Sequence, residues 1–95
     1  MRESSIPQHR LRRLSFGVPP EWRGRIGHEL RERRVTAGLS QAELGSPLTR
    51  AYVSAVERGR VVPSLPALRL MTRRLDTTLA DFFAGVEHRD PAVER

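Results

Sequence analysis

The 95-residue sequence contains no cysteine. A disulfide scaffold and a cysteine-ligated zinc site are therefore excluded, and the composition fits a reducing compartment. Lysine is absent as well: all seventeen basic side chains are arginine. Aromatic residues make up only 5% of the chain, and its uninterrupted apolar runs reach two or three residues. Such runs are too short for a membrane span or a secretory h-region, so no membrane partner is expected. His9, His28 and His88 lie too far apart in sequence to read as a metal cluster. No nucleophile, base and acid recur at a spacing that would assemble a catalytic site, and neither enzymatic activity nor a cofactor is expected.

What remains is one small, basic domain. Eleven acidic residues leave a formal charge of +6, which favours an anionic partner. Arginine offers a rigid fork of donors that matches phosphate oxygens and guanine edges, although codon usage in a GC-rich genome produces the same bias. The charge falls into three zones of +2 (residues 1–22), +5 (23–83) and −1 (84–95). Residues 1–21 mix Arg2, Arg10, Arg12 and Arg13 with prolines and scattered apolar residues, a mixture that reads as a flexible basic arm. Such an arm is either a solvated leader or a tail that touches phosphates or enters a groove. Residues 22–85 form the domain, and 86–95 a short tail.

Within the domain the apolar spacing is helical throughout. Ile26, Leu30 and Ala37 share a stripe over residues 22–37, with Gly38 at a left-handed end. Ser40 and Glu43 make a capping box that opens a short second helix at Gln41. After Gly45, Ser46 and Pro47, Thr49 can cap a third helix over residues 50–58, which Gly59 stops. Ser64 can cap a fourth helix with Pro66 in its first turn and an apolar face of Leu65, Leu68, Leu70, Met71 and Leu75. Thr78 and Asp81 open a fifth, through Leu79, Phe82 and Phe83, which Gly85 ends. The expectation is an all-α, compact five-helix bundle.

Two short helices joined by a tight turn and flanked by arginine have the layout of a helix-turn-helix. The run Leu39-Ser40-Gln41-Ala42-Glu43-Leu44, then Thr49 through Gly59, then Pro63-Ser64-Leu65, resembles the Cro/repressor-type helix-turn-helix family, also called the xenobiotic-response-element family. The resemblance covers about Ile26 to Phe83 and implies a lambda-repressor-like fold. Between Leu44 and Tyr52 this chain is about two residues shorter than the family pattern, with Pro47 where helix two would continue. Leu48 aligns with the apolar residue closing the turn, and Thr49 with the cap of the recognition helix.

The resemblance implies a small transcriptional regulator that binds double-stranded DNA in sequence-specific fashion, a repressor by expectation. Such a protein is cytoplasmic and associated with a bacterial or phage nucleoid. Arg50, Ala51 and Ala55 would face base edges with Ser54 nearby, and Gln41, Tyr52 and Arg58 would approach the phosphate backbone. Helical spacing agrees, since Arg50, Ala51, Ser54, Ala55 and Arg58 lie opposite Val53 and Val56. Arg50 can donate two bonds to a guanine, worth about 1–3 kcal/mol of discrimination, and Ala51 or Ala55 can meet a thymine methyl. The alternative makes Arg50 and Arg58 merely solvated helix ends; given the motif, the DNA role is the expectation for both.

At positions matching Arg34 and Glu57 the family has an Arg and a Glu that often pair, so both are expected to be structural. Trp22, Phe82 and Phe83 read as core or dimer residues. A short recognition helix reads few base pairs, so a homodimer on two half-sites about 34 Å apart is expected. The Leu79-Phe82-Phe83 surface and the tail beyond it are the dimer candidates, with closure of the monomer core the alternative and the favoured reading for Leu79. Arg69, Arg73 and Arg74 decorate the outside of helix four. A second class of reading has the same fold serve as an antitoxin or adaptor, with a toxin or another protein as its partner.

Overall fold

The computed structural model describes residues 18–89, and within them the protein is all helical: α1 (Pro20–Ala37), α2 (Gln41–Gly45), α3 (Arg50–Glu57), α4 (Leu65–Arg74) and α5 (Leu79–His88). Most of the expected arm and the end of the expected tail lie outside the described residues.

Helices α2 to α5 each begin where a side chain takes up an orphan amide, whereas α1 has no side-chain cap. Pro20 opens α1, with Glu21 in its first turn. Ser40 Oγ accepts from the Glu43 amide at 2.9 Å while Glu43 Oε1 accepts from the Ser40 amide at 2.8 Å, closing the capping box of α2. Thr49, Ser64 and Thr78 accept from the amides of Tyr52, Ala67 and Asp81 at the starts of α3, α4 and α5. Gly38 and Gly59, both at φ 75°, end α1 and α3 in the left-handed region. Asp76, at φ 57°, takes that conformation after α4.

The turn between α2 and α3 holds a cis Ser46–Pro47 peptide. Leu48 donates its amide to the Gly45 carbonyl at 2.6 Å and packs against the core. The core comprises Ile26 and Leu30 from α1, Leu44 from α2, Val53 and Val56 from α3, Ala67, Leu68 and Met71 from α4, and Phe82 and Val86 from α5. Helix α1 packs on α3 and α5, while α2 bridges α3 and α4.

Three glycines set how closely these elements meet. A β-carbon on Gly27 would lie 2.6 Å from the Glu57 carbonyl oxygen and would also overlap that of Val56, so α1 can approach the end of α3 only as glycine. Gly45 leaves the same kind of room for Val53. Gly85 does not end α5. The helix runs three residues further, and the missing side chain makes space for the Glu29 carboxylate of α1.

The apolar faces also differ from their sequence patterns. Ala37 is exposed, because the stripe runs past the neighbours that cover Ile26 and Leu30. Leu65 is 63% exposed and Leu70 half-buried, since each lies two positions, or about 200° of helical rotation, from Ala67 or Leu68, which turn inward. Phe82 is fully buried and unavailable to a partner, whereas Leu79 and Phe83 are half-buried.

Candidate nucleic-acid interface

Helix α3 is two-faced by its sequence. Val53 and Val56 are fully buried, and the opposite side presents Arg50 and Ala51 in the open with Ser54 and Ala55 partly covered. Arg50, Ala51, Ser54, Ala55, Arg58 and Arg60 line one shallow depression. A second shares Arg50, Ser54 and Arg58 with the first and is completed by Arg31, Arg34, Gln41 and Glu57. The two alanines keep this ridge low, so a flat ligand can approach the helix closely, and the arginines make it basic.

Behind the ridge a polar knot fixes α3. The Glu57 carboxylate accepts from Arg34 Nε at 2.7 Å and Nη2 at 3.1 Å, and from Gln41 Nε2 at 3.0 Å. The third nitrogen of Arg34 donates to the Leu39 carbonyl at 2.8 Å. One buried carboxylate thus ties α1, the turn before α2, the first residue of α2 and the last of α3. Its hydrogen bonds hold the Arg34 pKa above the usual guanidinium value, outweighing the opposing effect of burial.

The remaining sequence-predicted residues take specific places. Gln41 is half-buried and committed through one amide N–H to Glu57, which leaves its second N–H and its carbonyl oxygen without a hydrogen bond among the described residues. The Thr49 hydroxyl is occupied as a cap. Tyr52 is half-buried, and its hydroxyl accepts from the Ser64 amide at 3.2 Å, bracing the start of α4. Arg58 is exposed at the end of α3.

Two arginines beside this face have no counterpart in the sequence reading. Arg31 comes from α1, one turn before Arg34, and Arg60 follows the left-handed Gly59. Arg34 supplies a signal for the first, since a residue three positions earlier on α1 shares its side. Sequence also misses a second ionic cluster. The nearly buried Glu29 accepts from Arg33 Nε at 2.6 Å and from Arg89 Nε at 3.0 Å, and Arg89 also bonds to Glu32. Burial pushes the Glu29 carboxyl up, but hydrogen bonds from the two arginines and their charges prevail and hold it below the usual value. No described helix is long and apolar enough to cross a membrane, and no group of three or more metal-ligating side chains gathers among the described residues.

Comparison with known proteins accords with this geometry. No curated protein sequence matches the chain. Among solved structures, the clp gene regulator ClgR from C. glutamicum superposes with a TM-score of 0.65 at 29% identity, covering 70% of this chain and 88% of that one. The restriction-modification controller protein C.Esp1396I, solved as a tetramer with its natural 35 base-pair operator, gives 0.62 at 23% identity, covering 70% and 91%. The family described as the helix-turn-helix domain matches residues 25–82, which span α2, the turn and α3 together with most of the helices that support them. The chain therefore belongs to the helix-turn-helix domain family of DNA-binding regulators.

Proposed function

We propose that this protein is a sequence-specific DNA-binding transcription repressor that inserts α3 into the major groove. The observation carrying the reading is the outer face of α3: Arg50, without an intramolecular partner among the described residues, stands beside small Ala51, Ser54 and Ala55. The small side chains let the helix axis approach base edges, Arg50 supplies the bidentate donor for a guanine, and an alanine supplies a surface for a thymine methyl. Arg58, the free N–H of Gln41 and the hydroxyl of Tyr52 serve the phosphates; Thr49 acts through the cap that sets where α3 begins. The likeness to ClgR, a gene regulator, supports a regulatory outcome.

An eight-residue helix reads only a few base pairs, so the protein acts as a homodimer with the two α3 helices one turn of duplex apart. Occupancy of a promoter then suffices for repression. Selection of bound duplexes from a random pool, followed by anisotropy titration at moderate salt, tests the reading. Arg50→Ala is expected to cost about 1–3 kcal/mol on the selected duplex and to relax the preference at one base pair. Unchanged discrimination in that variant overturns the assignment.

A further inference from the structure

We infer that Arg31 and Arg60 form a phosphate clamp, gripping the two phosphodiester backbones that wall the major groove on either side of α3. The inference rests on the DNA-binding reading above. The two depressions on this face share Arg50, Ser54 and Arg58, which form the ridge between them; Arg60 borders one flank and Arg31 the other. An α-helix with its side chains is about 10–12 Å across and the major groove about 12 Å wide. Cations on the two flanks of a seated helix therefore meet the groove walls rather than its floor.

Both are mounted on fixed backbone. Arg31 sits one turn before Arg34, whose bonds to Glu57 lock that part of α1 against α3. The Arg60 amide donates to the Ala55 carbonyl at 2.9 Å, and the preceding Gly59 carbonyl accepts from Arg23 Nε at 3.2 Å. Both guanidinium groups are exposed and without an ion-pair or hydrogen-bond partner among the described residues. By contrast, Arg33, Arg34 and Arg89 are paired with carboxylates, and Arg74 bonds to carbonyls at the end of α2. Arg69 and Arg73 are also unpartnered but line a separate depression along α4, which makes them an internal control for charge alone.

The test measures affinity against salt for a random-sequence duplex and for a duplex selected from a pool. Arg31→Gln and Arg60→Gln are each expected to make the log–log salt slope shallower by about 0.9, the pair by about 1.8, with equal fractional loss of affinity on both duplexes. Thermal melts should match wild type, since neither side chain supports the fold. The double variant Arg69→Gln/Arg73→Gln should leave the slope unchanged. Unaltered slopes in the Arg31 and Arg60 variants overturn the clamp, as does a loss confined to the selected duplex or an equal loss in the α4 control. Because the slope is read on random sequence, the clamp is decided even where Arg50→Ala fails to alter specificity; a wild-type protein that binds neither duplex refutes both.

Discussion

Removing the Glu57 carboxylate tests the reasoning about the polar knot most severely. In Glu57→Ala the Arg34 guanidinium, whose side chain is only 13% exposed, keeps one bond to the Leu39 carbonyl and loses two charge-assisted ones. Breaking a buried pair from one side costs about 3–5 kcal/mol, chiefly because the surviving charge stays desolvated. Arg34 retains a partner and a narrow path to water, which places this case near the lower end, at about 3 kcal/mol. A domain of this size has a total stability of about 4–10 kcal/mol. The loss is therefore a large part of the whole, and it lowers the melting temperature by about 12–24 °C.

Circular dichroism melts and urea titrations on the same samples supply the measurement, with an unchanged m-value confirming that only stability moved. Arg34→Met/Glu57→Leu removes both charges together and is expected to recover most of the loss, since well-packed apolar residues commonly equal a buried ion pair. Glu57→Ala melting within about 1 kcal/mol of wild type, or a double variant no more stable than the single one, refutes the account of an uncompensated charge.

Two further outcomes follow from contacts elsewhere in the fold. Gly27→Ala drives a β-carbon into the carbonyl oxygens of Val56 and Glu57; a loss of about 1–3 kcal/mol is expected in urea, together with weaker binding of the selected duplex as α3 shifts. The Glu29 carboxyl is depressed in the folded state, so its contribution is present above the unfolded value near 4.5 and disappears as pH falls from there through the folded value. Glu29→Gln should flatten that acid limb of a stability-against-pH curve, and an identical limb in the variant counts against the cluster.

Local signals were legible in the sequence because they need only a few adjacent residues. Ser40 with Glu43, and Thr49, Ser64 and Thr78 each at a cap, mark helix starts through bonds spanning three residues. The two faces of α3 follow from helical period alone. What stayed hidden depends on chain distance. Glu29 meets Arg89 across sixty residues, and nothing near either position announces the pairing. Gly85 reads as a stop signal because the same residue type ends helices and admits close neighbours; only the Glu29 carboxylate beside it distinguishes the two. Leu65 reads as core because period fixes which residues share a face without fixing which face is covered. Arg31 and Arg60 escaped for a related reason, since they reach the recognition face from α1 and from the turn after α3.

The division of α3 into buried valines and an outer face of Arg50, Ala51, Ser54 and Ala55 has a consequence for how such a protein can change. On α3 the side chains proposed to read base edges contribute little to holding the domain together, while the buried Val53 and Val56 face away from the groove. Target preference can therefore drift, or be redirected in a library randomised at positions 50, 51, 54 and 55, without each intermediate having to survive a loss of folding. Retargeting and thermal tolerance become independent traits on a helix of eight residues.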